Sequence, residues 1–597
     1  MNPDPAAPGP SIAVASRWRS PGQTLVEVLK YRAHLHHDKL LFGFLDSELR
    51  ITQSLTYGSL LSRATRFAGL LSSSGLAGQR ALLAYPQGPD FVVAFFAANI
   101  AGVIPVPVKI PRREEEFARF ARMGVDAEAT AILVPAKQQS IFERIVAQGQ
   151  LAELRTLSEP VDGEQVADLP SSLQVSADDV ALLQYTSGST SSPKGIQVTH
   201  ANMVANLECI RTGFEHDSAT ISLSWLPMFH DMGLIGHVLE PLYVGFPAYF
   251  LNPTLVIQEP GRWLRAISRF RVTATGGPNF GYELCLKRPP REEAGALDLS
   301  TWKVAYTASE TIRASTIEEF SKQFAAVGFS PRAFYPCYGL AEATLIVTGG
   351  QADDEVLTVS VDGEQLARGL VVPSEDVATA RRLVSCGPPR PGVQVVIVDP
   401  QAELPSATGH VGEIWVAGPT VAAGYRGNPE ETRRVFGARL PGWPGTAFLR
   451  TGDLGFLDGN ELFVVGRLHD MIIIRGRNLY PEDIEATVTA ACAEWNPTGC
   501  AVFADGDPTA EATAEIVVAL EFFLSAGQLD RDKVASRARA QVANAYGVTV
   551  RDVVFAARLP RTSSGKIRRS ECARRYQLDV LDPARVVNAP ASAVPRK

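Results

Sequence analysis

The 597-residue sequence predicts an α/β protein of at least two domains, on three observations. The chain is too long for one ordinary core. Through its first two thirds, buried-looking strands alternate with helices, the pattern of parallel sheets that hold ligands at the carboxyl ends of their strands. Beyond residue 380 the texture changes to short strands at close spacing with Gly/Pro turns, and a further α+β segment follows. The expected architecture is a large N-terminal domain over 21–468, made of two parallel-sheet subdomains and a β-rich subdomain at 383–468. A small α+β C-terminal domain is expected over 469–582. Residues 1–20, rich in Pro, Ala and Ser, read as a loose tail, and 583–597 as a disordered one.

The elements follow in order. ALLAYP (81–86) reads as a buried strand, Asp90–Ala101 as a helix, VIPVPV (103–108) as an edge-like strand and AILVP (131–135) as another strand. ALLQY (181–185) reads as a strand that runs into a Gly/Ser/Thr loop, with a helix from near His200 after it. VQVVIVD, GEIWVAG and ELFVVGR supply the short strands of the β-rich part. The longest uncharged stretch, Phe91–Val108, has the length of a membrane span. Asn99, Gly102, Pro105 and Pro107 instead divide it into a helix and a short strand, so no stable membrane insertion is expected.

Composition narrows the function classes. A net charge of −7 argues against nucleic acid as a partner, since phosphate backbones select basic faces. The seven cysteines are odd in number and scattered, with no C-x-x-C pair, which suits neither a disulfide framework nor a zinc site. A cytoplasmic protein is the natural reading. Residues 1–20 carry Arg17 and Arg19 but no apolar run of the kind a signal peptide needs.

The densest chemistry lies in the loop from Thr186 to Gly195, with Ser187, Gly188, Ser189, Thr190 and Lys194 among its residues. Hydroxyls, exposed backbone N–H groups and a lysine are what a triphosphate needs. The loop is not a Walker A motif, because Pro193 precedes the lysine and Gly195 stands where Ser or Thr should follow. A flexible polar turn is the other reading; the position after a buried strand and before a helix favours phosphate binding.

YTSGSTSSPKG (185–195) closely resembles the phosphate loop of the superfamily of acyl-CoA synthetases, peptide-synthetase adenylation domains and luciferases. Four further motifs recur in the family's order: YGLAEAT (338–344), TGDLG (451–455), GRLHDMIIIRGRNLYPEDIE (466–485) and PRTSSGKIRR (560–569). Within the superfamily the chain resembles the fatty acyl-AMP ligases most, in the stretches 80–108, 224–250, 278–285 and 334–350. The resemblance implies ATP as cosubstrate and Mg²⁺ as cofactor, the latter held by Glu342. It implies Thr186, Ser187, Gly188, Ser189, Thr190 and Lys194 on the phosphates, and Ser309, Glu310 and Thr311 near the adenine. Tyr338 and Gly339 would meet the purine, Asp453 the two ribose hydroxyls, and Arg467 the ribose.

The same resemblance makes Lys566 the catalytic lysine, on a mobile C-terminal domain that hinges at His469. His230 would stand near the substrate carboxylate, and Met232, Gly233, Ile235, Gly277, Pro278 and Asn279 would line the acyl pocket. Residues 351–382 are the expected family-specific insertion that restrains the small domain. Departures from the family pattern are Ser191 in place of a glycine, Ala341 in place of a threonine, and the TASET run (307–311), which lacks the usual glycine and proline.

The implied reaction joins a medium- to long-chain fatty acid to AMP with release of pyrophosphate. The acyl group then passes to the phosphopantetheine arm of an acyl carrier protein in a polyketide or nonribosomal peptide pathway. Two anions must meet in the first step, so cations and donors matter more than a base. An acyl-CoA synthetase is the alternative. A non-catalytic relative is disfavoured by the joint presence of Lys194, Glu342, Asp453 and Lys566.

Overall fold

The structure is a computed structural model describing residues 20–582 except 112–113, 147–150, 152, 162, 171–172, 186–192, 291–296, 377–379, 475–476, 506–514, 523–528 and 563–564. Both expected tails therefore lie outside the described residues, apart from Ser20.

Two sheets with parallel cores dominate. The larger has eight strands, in the order Ile346–Gly349, Phe334–Gly339, Val304–Thr307, Ala274–Gly277, Ser222–Ser224, Ala248–Phe250, Leu40–Leu45 and Ile51–Thr56. Its inner pairings are parallel and its two outermost pairings antiparallel. The second sheet is parallel throughout, in the order Ile104–Pro107, Arg80–Leu83, Ala131–Leu133 and Arg155–Leu157. VIPVPV is an edge strand, as its two prolines require. The helix Pro89–Ile100 before it is buried on nearly every face, which accounts for its unbroken apolar run. Among the described residues no helix is long and apolar enough to cross a membrane.

The helix begins at His200 as expected, but a strand stands between it and the polar loop. The loop does not lead from a strand directly into a helix: Gly195–Thr199 forms a second strand that pairs antiparallel with Val180–Tyr185. On its other side this strand pairs with Gly424–Tyr425. The loop therefore joins the arms of a hairpin, and the helix His200–Gly213 begins only after the second arm, with Thr199 and Asn202 forming its capping box. The reason is local. Ile196 and Val198 are both buried, so GIQVT buries more as a half-covered strand than as a helical turn.

The β-rich part is a four-stranded antiparallel sheet of Gln394–Val398, Gly412–Ala417, Leu449–Asp458 and Glu461–Arg467. Residues 351–382 lie beside it and contribute Thr358–Asp362, a short helix Gly363–Leu366 and most of Ala380–Val384, with the two strands paired. Val361 and Leu366 from this segment, with Leu383 just after it, share an apolar cluster with Phe456, Phe463 and Tyr480. From Ile472 onward the chain builds cores of its own, around the strands Gly499–Asp505, Glu515–Glu521 and Val550–Ala556.

Candidate active site

Two neighbouring strand ends form one edge of the candidate site. Val304–Thr307 and Phe334–Gly339 are paired in parallel, so Ala308–Thr311 and Tyr338–Gly339 emerge at the same edge. Ser309 sits at φ 76°, a conformation that costs a serine roughly 1–2 kcal/mol and a glycine almost nothing. Leu449–Asp458 and Glu461–Arg467 bring Asp453 and Arg467 directly opposite one another. Tyr338 Oη donates to Asp453 Oδ2 at 2.8 Å, and Arg467 Nε to Oδ1 at 2.9 Å. Burial, followed by the Asp453 charge, pushes the Tyr338 phenol up, so the hydroxyl stays a donor. Asp453 is thus held by two donors and keeps lone pairs for two more, since a carboxylate accepts about four hydrogen bonds.

Glu342 stands on the turn after Gly339. Its Oε1 accepts from Tyr425 Oη at 3.1 Å, and burial raises its proton affinity. Among the described residues no group of three or more His, Cys, Asp or Glu is placed to hold a metal ion. Lys194, at the end of the polar loop, pairs with Glu431 Oε1 at 2.7 Å and lies 5.1 Å from the Tyr425 ring centre. Thr186, Ser187, Gly188, Ser189 and Thr190 lie outside the described residues.

Lys566 reaches this edge from the C-terminal side. A tight turn presents it: Thr562 N–H donates to the Lys566 carbonyl at 2.7 Å and Lys566 N–H to Thr562 Oγ1 at 3.1 Å. Its ammonium makes no ion pair within 4.0 Å among the described residues, yet it feels Arg467, Glu310, Asp231 and Asp453. Desolvation, then the Arg467 charge, lower its proton affinity against those three carboxylates. The base of the turn is pinned by Arg569, which forks onto Glu485 at 2.7 and 2.8 Å and reaches Asp470 at 2.9 Å. Thr311 Oγ1 donates to Glu482 Oε2 at 2.7 Å, tying the 309–311 segment to the C-terminal part.

Two carboxyls face the lysine with opposite tendencies. Burial pushes Glu310 up to about 7, although it accepts from Phe280 N–H at 2.6 Å. At Asp231 burial also acts upward, but His230, the Met232 N–H and Lys566 outweigh it and hold the carboxyl below its ordinary range. His230 Nδ1 contacts Asp231 Oδ1 directly.

Behind this group opens an apolar cavity with about 710 Å³ of empty space, part of it open to solvent. Asp231, Met232, Ser309, Tyr338 and Gly339 are among its walls, so it communicates with the strand-end edge. Of the six residues expected in the acyl wall, Met232 lines this cavity. Gly233 instead packs so closely on Pro227 that a Cβ would lie 2.1 Å from its carbonyl oxygen, and Ile235 is core. Gly277 abuts the Trp225 ring, which a Cβ would approach to 2.7 Å. Pro278 caps the helix Asn279–Lys287, and Asn279 bonds Glu283 and Thr316. Sequence reasoning missed the deeper wall, which includes Phe214, His216, Ser222, His237 and Tyr306. The signal was present: His237 and Glu240 interrupt an apolar run, and buried polar groups need a reason. His469 is an exposed turn residue between Glu461–Arg467 and Ile472–Ile474.

A lysine that feels a paired Asp/Arg edge, beside an apolar cavity, is an arrangement that can hold an anionic ligand against an apolar one. The chain belongs to the AMP-binding enzymes, whose family model matches residues 30–426. It is 37% identical over 571 residues, 94% of this chain and 96% of the relative, to the medium-chain-fatty-acid–[acyl-carrier-protein] ligase JamA of Moorena producens. It is 33% identical to the medium-chain-fatty-acid–[acyl-carrier-protein] ligase TtuA of Teredinibacter turnerae, with 94% of each chain covered. Among solved structures it is similar to the fatty acyl-adenylate ligase from L. pneumophila in complex with acyl adenylate and pyrophosphate. There the TM-score is 0.72 and the identity 36%, with 94% of this chain and 96% of that one covered.

Proposed function

We propose that the protein activates a fatty acid with ATP to form acyl-AMP and pyrophosphate, then passes the acyl group to the phosphopantetheine thiol of an acyl carrier protein. The observation that supports the reading is that the Lys566 ammonium feels Arg467, Glu310, Asp453 and Asp231, the last of which lines the apolar cavity. A carboxylate oxygen of the fatty acid attacks the α-phosphorus, and the bond from that phosphorus to the bridging oxygen breaks as pyrophosphate leaves. No base is needed, because the fatty acid is already ionised near neutral pH. What the step needs is positive charge where two anions meet, and Lys566 supplies it. Asp453 orients the ribose, with Tyr338 and Arg467 fixing the carboxylate. Lys194 leaves Glu431 for the outer phosphates.

Glu342 fits Mg²⁺ as a single carboxylate, since that ion takes most of its ligands from phosphates and water; when bound, it would neutralise charge on the phosphate oxygens. Transfer follows when the carrier thiol attacks the acyl carbon and AMP departs. The 351–382 segment is read as the restraint on the C-terminal domain. Supporting this are the Arg381–Asp483 ion pair at 3.0 Å, the Arg381 guanidinium 5.0 Å from the Tyr480 ring centre, and the Asn478 N–H donated to the Ala367 carbonyl at 2.6 Å. Mass spectrometry of the enzyme with ATP, Mg²⁺ and medium-chain acids, without any thiol, tests the first half-reaction. Acyl-AMP should accumulate with one pyrophosphate per adenylate; release of ADP and phosphate instead would defeat the reading.

A further inference from the structure

The cavity does not end in hydrocarbon. Its walls run along the strands of the large sheet: Ser309, Tyr338 and Gly339 lie at carboxyl ends, whereas Ser222 and Ala274 are the first residues of their strands. Ala274 is paired with Val304, five residues before Ser309, so at about 3.3 Å per residue the cavity reaches roughly 16 Å from the reaction edge. His216 belongs to this far end, on the connection between the helix His200–Gly213 and the strand at Ser222.

The local fold turns His216 inward. The helix closes with a Schellman motif in which Glu215 takes φ 52° and His216 N–H bonds the Arg211 carbonyl. The residue after the left-handed one commonly makes an apolar contact back onto the helix. Here that place is taken by an imidazole, 7% exposed and set edge-on to Phe214 and Phe246. Its Nδ1 lies 3.1 Å from Glu240 Oε1. Its Nε2 is buried and has no hydrogen-bond partner among the described residues.

The second histidine in the same wall provides a contrast. His237 is satisfied on both nitrogens, by Tyr306 Oη at 2.6 Å and Ser222 Oγ at 3.0 Å. Its polarity is therefore structural. His216 has one nitrogen spent on structure and one left over in a cavity wall. An unmatched buried polar atom carries a desolvation penalty, and a substrate group that meets it recovers that penalty on binding.

The protonation pattern says which group fits. Burial drives Glu240, which is fully buried, well above the ordinary carboxyl range and His216 down to about 3. Both are then neutral. If Glu240 Oε1–H donates to Nδ1, only an acceptor oxygen of Glu240 stays unmatched; the reverse tautomer would strand a carboxyl O–H. Donation from Glu240 to Nδ1 leaves the ring proton on the unmatched Nε2, in a residue of the cavity wall.

Resting on the adenylation reading above, we propose that His216 Nε2 is the specificity determinant at the far end of the acyl cavity, and that the preferred acid is of medium length with a terminal oxygen function, a hydroxyl or a carbonyl. Such a group accepts from His216, and a hydroxyl can also pair with Ser222 Oγ. A plain alkyl end would leave the donor buried and unmatched.

The test is pyrophosphate release across a ladder of acids, each alkanoic acid matched with the ω-hydroxy acid of equal heavy-atom length. At the best length the hydroxy acid should show about tenfold higher kcat/KM. His216→Phe should reverse that preference, while Glu240→Gln, whose amide can still donate to Nδ1, should keep it. Preference for the plain acid at every length, or an unchanged preference in His216→Phe, overturns the proposal. Should His216→Phe fail to fold, the wild-type ladder decides alone. If no acid releases pyrophosphate, the adenylation reading falls instead, and calorimetric binding of the same acid pairs decides the role of His216 separately.

Discussion

Replacing Lys566 with methionine removes one charge and little else. The side chain keeps its length, the turn that holds it is made by backbone and Thr562, and the ammonium has no ion pair within 4.0 Å among the described residues to lose. Folding stability should therefore change by less than about 0.5 kcal/mol, as for a substitution away from caps and cores. The reacting centre changes far more. Asp231, Glu310 and Asp453 face Lys566, and Arg467 is the other cation that acts on it. Without the lysine, an incoming carboxylate meets the α-phosphate among three acidic side chains with one cation left. Loss of one preorganised charge at a developing anion costs about 3–4 kcal/mol, a factor of roughly 10²–10³ in kcat. ATP–pyrophosphate exchange measures this step alone. Exchange within about threefold of wild type, in a variant with an unchanged urea midpoint, would refute the role given to Lys566.

Three further outcomes follow from the same geometry. Asp453→Asn weakens its bonds with Arg467 and Tyr338 and the seat of the ribose, so the KM for ATP should rise about ten- to a hundredfold, at roughly 1.5–3 kcal/mol for hydrogen bonds to a charged group; steady-state kinetics with saturating acid reads it. Arg381→Ala removes the ion pair to Asp483 and the contact with Tyr480, which should speed proteolysis near residues 468–480 and allow measurable thioester formation with CoA; an unchanged cleavage pattern would contradict the restraint. Glu310, raised from 4.5 to about 7, holds a proton in the folded state that the unfolded chain gives up. Its contribution to stability therefore declines as pH rises from about 4.5 to 7, and in Glu310→Gln the urea midpoint should fall less across that window than in wild type.

The parallel sheets were legible because their strands are short apolar runs bounded by Gly and Pro, and VIPVPV announced its edge position through its prolines. The hairpin arm Gly195–Thr199 was not, because five residues between a polar loop and a well-capped helix carry too little pattern to separate strand from helix entry. Tyr338, Asp453, Arg467 and Lys566 were found through motif resemblance; their own residue types would have suggested ordinary surface. Their convergence is a product of register, as the Asp453–Arg467 pairing shows. His216 was passed over for a physical reason. Its partner Glu240 is 24 residues away and the wall it joins is assembled from five strands, so nothing near it in sequence distinguishes it from a histidine in a core. The strained φ of Ser309 was likewise invisible, although the missing glycine of the TASET run marked the place.

The central claim is acyl transfer from adenylate to a carrier thiol. The most direct measurement offers the enzyme ATP, Mg²⁺, a medium-chain acid and both acceptors, a phosphopantetheinylated carrier protein and CoA, and follows both products by intact-mass spectrometry. Acyl-carrier should form while CoA stays free, and acyl-AMP should build up when the carrier is left out. Rapid formation of acyl-CoA, with no acyl-carrier at equal thiol concentration, would contradict the account.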